Sequence, residues 1–219
     1  MSAKITNKMI EEELKNLRAL IAAKPRKFKQ TIELQIGLKD YDPSKDKRFV
    51  GSVRLPNNPR PNLKLCVIAD EKHKQEIIAS KVEVDVVDLE FLKKFNKDKK
   101  QIKGWAKKYA ALLASDTVLK KVPVVCGPIL NRINRFPQVV GHNTPISQAV
   151  DDFRSAVKWQ LKKVTCMNAA VGAEEMTDEE LKVNIMMAIN FLISLLKKGW
   201  HNLKSVHIKS TMSKSIKLL

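Results

Sequence analysis

Three prolines fall within seven residues, Pro56-Asn57-Asn58-Pro59-Arg60-Pro61-Asn62, and no other feature limits the fold of this chain as strongly. Proline has no N–H for a sheet ladder and clashes with the preceding turn of a helix, so neither element passes through this stretch. The apolar pattern also differs on its two sides. Before it, residues 4–23 repeat apolar side chains at Ile5, Met9, Ile10, Leu14, Leu17, Leu20 and Ile21, the spacing of a helix with one inward stripe, which Pro25 ends. Ile32, Leu34, Ile36 and Leu38 then alternate with Thr31, Glu33, Gln35 and Gly37, as in a half-buried strand. After a turn at Asp42-Pro43-Ser44, Phe49, Gly51, Val53 and Leu55 alternate again, and the two strands are expected to pair as a hairpin.

Beyond the prolines, residues 63–69 form a nearly continuous apolar run, which suits a strand covered on both faces. Asp70 is placed to cap a helix, Val82, Val84 and Val86 read as a strand, and Asp88 as another cap. Residues 109–114 read as a third strand and residues 122–126 as a short fourth. This alternating βα order predicts a parallel sheet flanked by helices. Near Gly141 the pattern reverts. Thr144-Pro145 opens a helix to about residue 156, Val157, Trp159 and Leu161 alternate, and Val164 and Cys166 resume after a reset at Lys162-Lys163. Thr177-Asp178-Glu179-Glu180 is a capping box that starts a long helix, Gly199 stops it after Lys197-Lys198, and Val206 and Ile208 supply a last strand before a basic tail.

About 60 residues at each end hold only one helix and two strands apiece, too little to bury a core alone. The two ends are therefore expected to complete each other. The predicted class is α/β and α+β in two domains. Residues 1–62 with 157–219 form a discontinuous α+β domain with an antiparallel-type sheet, and residues 63–156 form an inserted three-layer βα domain with a mostly parallel sheet. Linkers near residues 56–62 and 149–157 would act as a hinge.

The chemistry that such a chain can carry is narrowed by what its motifs lack. Its seven glycines make neither G-x-G-x-x-G nor a P-loop, so a nucleotide cradle is not expected. His73, His142, His201 and His207 lack ligand spacing, and no metal or other cofactor is expected. Ser155-x-x-Lys158 and Ser194-x-x-Lys197 match a hydrolase fragment, but its companion motifs are absent and no small-molecule substrate is implied. Cys66, Cys126 and Cys166 each sit in an apolar run and read as reduced, buried thiols of a cytosolic protein. Glu11, Glu12 and Glu13, with no apolar core beside them, argue against a secretory signal, and residues 183–196 are too short for a bilayer span and read as a buried helix.

The charge points to a partner. The chain carries 41 Lys and Arg against 23 Asp and Glu, a net +18. Residues 1–62 contribute +7, residues 63–155 contribute +6 and residues 156–219 contribute +5, so no single tail explains it. A folded chain that is basic in every part fits a polyanion whose phosphates release counterions on binding. Lys93, Lys94, Lys97, Lys99, Lys100, Lys103, Lys107 and Lys108 form the densest run, interrupted by Asp98, and read equally as a solvated helix face or a phosphate-tracking surface. Trp105 and Tyr109 beside it read as core. A membrane surface ranks behind RNA, since no segment pairs cations with exposed aromatics as an interfacial helix does.

Several stretches resemble the large-subunit ribosomal proteins of the mobile lateral stalk, the universal "L-one" family, in its eukaryotic "L-ten-a" type. They are Arg26-Lys27-Phe28 with Thr31-Ile32-Glu33-Leu34, Tyr41-Asp42-Pro43 through Gly51-Ser52-Val53-Arg54-Leu55-Pro56, Asn190-Phe191-Leu192 through Lys197-Lys198, and Ile208-Lys209-Ser210-Thr211-Met212. The resemblance covers essentially the whole chain. It implies a non-enzymatic component of the cytosolic ribosome, with a terminal domain that grips stalk ribosomal RNA and an inserted domain that swings near exit-site transfer RNA. It places Phe28, Glu33, Thr211 and Met212 on an RNA-binding face, with core packing the other reading of Phe28. Glu33 would accept from a base amine or 2′-hydroxyl, or orient a basic neighbour. Lys27 and Arg54 are added as phosphate contacts, and Thr31, Lys158, Ser210, Ser213 and Lys214 complete the candidate set. Two departures stand out. Ser213 replaces a family glycine, and the loop Gly127-Pro128-Ile129-Leu130-Asn131-Arg132-Ile133-Asn134-Arg135-Phe136-Pro137 has Ile129 and Asn134 in glycine positions. Asn131, Arg132 and Arg135 keep that loop basic and are the candidate transfer-RNA-facing residues. The alternatives are an RNA-binding regulator of messenger RNA acting off the ribosome, and an RNA-modifying enzyme, for which the chain shows no cofactor loop or acid/base pair.

Overall fold

The computed structural model describes residues 5–80, 83–133, 135–142 and 144–219. The described residues through Pro61 form one compact unit with Arg154–Leu219, and Asn62–Phe153 form a second. The chain opens with α1 (Asn7–Ala23), β1 (Thr31–Leu38) and β2 (Val50–Arg54). The insertion contains β3 (Leu65–Ile68), α2 (Glu71–Ser80), β4 (Asp85–Val87), α3 (Leu89–Lys93), α4 (Lys99–Lys108) and β5 (Ala111–Ser115). Three short helices follow, α5 (Asp116–Leu119), α6 (Val122–Cys126) and α7 (Ile129–Arg132), then β6 (Gln138–Val140) and α8 (Ile146–Ser155). The return comprises β7 (Ala156–Gln160), β8 (Cys166–Ala173), α9 (Asp178–Leu195), a single 3-10 turn (Gly199–Asn202), β9 (Leu203–Ser210) and β10 (Ile216–Lys217).

In the terminal unit, β1 buries Ile32, Leu34, Ile36 and Leu38 on one face and leaves the alternate residues half-exposed on the other. Its neighbours are β8 and β9, both antiparallel, in a sheet ordered β10-β9-β1-β8. The expected hairpin of β1 with β2 does not form. Instead β2 pairs with β7, Val53 opposite Val157, in a separate two-stranded ribbon. Alternation fixes which side chains face the core, not which strand lies alongside, so partner choice is left to the rest of the core. Ile10, Leu14 and Leu17 of α1 and Leu181, Ile185, Ala188 and Leu192 of α9 cover the apolar face together with Trp159. Met9 and Leu20, assigned to the inward stripe of α1, are exposed. The capping box of α9 is formed as expected, Glu180 N donating to Thr177 Oγ1 and Thr177 N to Glu180 Oε2. The basic tail adds the short β10, and Leu218 is buried.

The inserted unit is a parallel sheet ordered β4-β3-β5-β6. Every residue of β3 is buried, and successive side chains serve opposite layers. Cys66, Ile68, Leu112 and Ala114 pack with Leu92, Ile102 and Leu130, while Leu65, Val67 and Leu113 pack with Ile77, Ile146 and Val150. This is the three-layer arrangement of an α/β domain. The expected strand at 122–126 is instead helix α6, with Pro123 in its first turn, and the fourth strand is β6. A short apolar run does not distinguish strand from helix by itself. The third strand begins at Ala111 rather than at 109, and of the predicted Val82–Val84–Val86 strand, Val82 lies outside the described residues. Burial and the Asp85 carboxylate push the Cys66 thiol up to about 12, and burial raises Cys126, so both are inert. Cys166, expected to be buried, is exposed.

Candidate nucleic-acid interface

The antiparallel pairing of β1 with β9 sets Ile32 opposite Ser210, which brings residues 31 and 211 together at one end of the sheet. There Thr211 N donates to Thr31 O (3.1 Å), and Thr31 N donates to Thr211 Oγ1 (3.1 Å). The Thr211 hydroxyl also lies 3.2 Å from Thr31 O as a donor. It thus extends the ladder by one rung beyond β9. Ser210 is buried, its hydroxyl donating to Gln30 Oε1 (2.8 Å), so it supports the turn from below. The turn itself is closed by Ser213. Ser210 N donates to Ser213 Oγ (2.9 Å), Ser213 N donates to Ser210 O (3.2 Å), and the Ser213 hydroxyl faces Lys214 O at 3.0 Å. Ser213 is not among the residues with positive φ, so its side chain fits the turn without backbone strain.

This turn holds Met212 out, 55% exposed. Phe28 is 50% exposed and is not a core residue. Lys27 is exposed in the loop before β1, where residues 24–29 are all exposed. Met212, Ser213 and Lys214 line a cleft of about 270 Å³ with Lys24, Arg26, Gln30 and the end of α1. Its rim carries the cations Lys24, Arg26 and Lys214, and Met212 presents an apolar thioether at its side.

Glu33 lies on the uncovered face of the sheet, opposite Lys209 of β9 and Ala170 of β8. Its charge reaches Arg60. Burial draws the Arg60 guanidinium below its ordinary pKa, and Glu33 pulls it back up. Glu33 therefore has the basic neighbours that an orienting role requires. Further along the same face, Gln35, Gly37, Cys166, Asn168, Ser205 and His207 line a shallow trough of about 350 Å³.

Two of the candidates stand apart from this cluster. Arg54 and Lys158 are exposed on the outer side of the β2–β7 ribbon, where Lys158 is opposite Ser52 and Arg54 is opposite Ala156. Arg54 lines a groove with Val183, Met187, Asn190 and Phe191 of α9. In the inserted unit, Asn131 and Arg132 are exposed on α7. Arg135 turns inward: its Nη1 donates to the Tyr109 carbonyl and to the Ala110 carbonyl (2.8 Å), so its guanidinium pins the entry to β5. Gly127 has positive φ in this loop, whereas Ile129 is helical and buried. Asn134 lies outside the described residues.

Sequence reading missed Lys24, Gln30 and Arg60. Arg60 sits between Pro59 and Pro61 in what reads as a linker, yet Asn57 ties that segment to α9 through Asn184, whose Nδ2 donates to Asn57 O (3.0 Å) and Val171 O (2.9 Å). Among the described residues no group of His, Cys, Asp and Glu is arranged to hold a metal ion, and no helix is long and apolar enough to cross a membrane. The inserted unit does bury a polar pair, His73 Nδ1 and Ser115 Oγ at 2.6 Å, with His142 stacked on His73 at 4.5 Å.

Fold and edge together define a class: a two-domain protein whose ends build a basic, sheet-edged platform and whose middle is an α/β insertion. The chain belongs to the ribosomal protein L1p/L10e family, whose model matches residues 20–214. It is 46% identical over 216 residues to the large ribosomal subunit protein uL1 of Oryza sativa subsp. japonica, covering 99% of each chain. It is 48% identical over 212 residues to large ribosomal subunit protein uL1 of Caenorhabditis elegans, covering 97% of each, and 46% identical over 210 residues to uL1z of Arabidopsis thaliana, covering 96% of each.

Proposed function

We propose that this chain is a non-enzymatic component of the large ribosomal subunit that binds ribosomal RNA through the strand-end cluster of its terminal domain. The observation that carries the reading is similarity along nearly the whole chain to relatives named large ribosomal subunit protein uL1. The geometry supports the placement of the RNA. Met212 and Phe28 are exposed beside Lys24, Arg26, Lys27 and Lys214, so apolar contact with a sugar or base and neutralisation of its phosphates come from one edge. Backbone groups and hydroxyls at a strand end suit RNA, whose 2′-hydroxyls donate and accept. Glu33 orients Arg60 and Lys209 rather than meeting phosphate itself.

The finer reading places this RNA in the lateral stalk of the cytosolic ribosome. The terminal domain anchors there, and the inserted domain moves with the stalk toward departing transfer RNA at the exit site, by a shift between open and closed populations. Asn131 and Arg132 are an amide and a cation of the 127–137 loop that stand exposed for that contact. The eukaryotic-type resemblance supports both the location and the partner.

The test is binding of the full chain to the isolated stalk segment of large-subunit RNA at several salt concentrations, beside an unrelated RNA duplex. A Thr211→Ala, Met212→Ala variant is expected to lose about 1 to 3 kcal/mol on the stalk segment and nothing on the duplex. Equal affinity for both RNAs, unchanged in the variant, would leave net charge as the only source of binding. Sedimentation of the protein with the large subunit in stoichiometric amount separates the ribosomal reading from a regulator acting elsewhere.

A further inference from the structure

The densest positive charge of the chain belongs to the inserted unit, on α3, the turn after it and α4. Lys93, Lys94, Lys99, Lys100, Lys103 and Lys107 are all exposed, and none of them closes an ion pair among the described residues. Elsewhere Lys29, Lys74, Lys182 and Lys197 each hold a carboxylate. Asp98, the one acid in the run, caps α4 instead, its Oδ1 accepting from Lys100 N at 2.9 Å.

Helix geometry then orders the charge. With Ile102, Trp105 and Ala106 turned inward, Lys100, Lys103 and Lys107 fall on one outward stripe. Like charges three and four residues apart work against a helix, so a stripe kept without counter-charges calls for an anion from outside. Gly104 lies on the same outward side. A Cβ there would meet nothing within 4 Å, so no packing within the domain requires a glycine that weakens the helix. What its absence does provide is a close approach to the backbone.

Phe91 adds a flat apolar surface. It is 41% exposed, braced edge-on by Phe95 at 5.2 Å, and Phe95 in turn rests on buried Trp105 at 6.0 Å. The ring is held from behind and open in front. We propose that the inserted domain carries a second RNA-binding surface, on which an unpaired stretch of RNA lays its phosphates along the outward α4 lysines and, where it continues over α3, stacks a base on Phe91. An acidic peptide would satisfy the lysines, but the Asp and Glu side chains that do so bring no aromatic ring to stack on Phe91. A membrane surface calls for a row of apolar groups beside the cations, and α4 turns its apolar row into the core. Duplex RNA keeps its bases stacked on each other, away from Phe91. Lysine rows with an aromatic platform are how sequence-tolerant single-strand binding is built. The site is independent of the strand-end cluster and stands or falls separately.

The experiment is fluorescence anisotropy of a labelled oligouridine of about twelve nucleotides with the full chain at several salt concentrations. The variants are Lys100→Gln with Lys103→Gln and Lys107→Gln, the same three positions changed to Arg, and Phe91→Leu. The Gln triple is expected to lower the slope of log affinity against log salt by about 2, and the Arg triple to leave it unchanged. Phe91→Leu keeps the slope and weakens binding about fivefold or more. A Gln triple with the wild-type slope, or Phe91→Leu with wild-type affinity, overturns the proposal. So does equal loss by the Gln triple on polyglutamate or on phosphatidylserine vesicles, because the partner is then any polyanion. Should the Gln triple unfold on a circular-dichroism melt, Phe91→Leu still decides.

Discussion

Thr211 has its hydroxyl engaged on both sides by the backbone of Thr31, and this sets what its removal does. Thr211→Val keeps the shape and the strand preference and deletes only the polar group. Thr31 N loses its acceptor at 3.1 Å, whereas Thr31 O keeps the backbone donor Thr211 N at 3.1 Å. One bond is therefore lost outright and a redundant one at 3.2 Å goes with it. At about 0.5 to 1.5 kcal/mol per net hydrogen bond, the variant is expected to be less stable by about 1 to 2 kcal/mol. That is a fall of roughly 4 to 8 °C in the melting midpoint for a unit of this size, read by far-ultraviolet circular dichroism. RNA affinity should fall by about 1 kcal/mol, roughly fivefold, through the displaced Met212, with no change in salt dependence because no charge is removed. Thr211→Ser keeps both bonds and should restore both quantities. The reasoning is refuted if the Val variant melts with the wild type, or if the Ser variant binds as poorly as Val.

Two further outcomes follow from buried polar groups. Asn184→Ala leaves Asn57 O, Val171 O and Asn57 N without their side-chain partner and should cost about 2 to 4 kcal/mol, seen as a lower urea midpoint with an unchanged slope. An Asn184→Ala midpoint within error of wild type would mean water replaces the amide freely. Burial first, then the charge of His142, hold His73 below its ordinary pKa, with Glu76 and Asp70 opposing. The unfolded chain takes up that proton near pH 6.5 and the folded chain only at lower pH. The contribution is thus complete above about pH 6.5 and is lost as the pH falls through the folded value. Urea midpoints between pH 7.5 and 5.5 should fall more steeply for wild type than for His73→Gln, and parallel profiles would contradict this.

Much of the fold is legible in the sequence, and the limits are physical. The two-residue period of Ile32 to Leu38, the Thr177–Glu180 box and the continuous run at 65–68 each state a local burial pattern, and each element forms. Partner choice is not local: the same alternation serves β2, β8 or β9, and only the whole core selects the latter two. Val122 to Cys126 was decided by Pro123, a helix-start residue inside a run that reads as strand. In the candidate site, Thr31 and Thr211 are hydrogen-bonded at one sheet end, a pairing their separate motifs do not state, while Arg54 and Lys158 sit on another ribbon. Arg60 and Arg135 show why charge alone does not locate a contact. The guanidinium nearest Glu33 lies between prolines, and the loop arginine that looks available is held by carbonyls. Phe91 could have been found from its place beside Lys93 and Lys94, but exposure is not written in a single residue.

The rung between Thr31 and Thr211 joins residues 180 positions apart, and that distance governs when the protein can assemble. On a growing polypeptide, every strand pairing of the insertion is complete once β6 has emerged, long before β9 is synthesised. The insertion can thus fold while its host domain waits, with the apolar side of β1 and the stripe of α1 unsheltered. Closing so long a loop adds little entropy cost beyond that of a shorter one, so the delay is one of timing rather than of energy. A polypeptide stopped short of residue 203 leaves one edge of β1 open to any strand it meets, and clumping of such fragments is the form that failure takes.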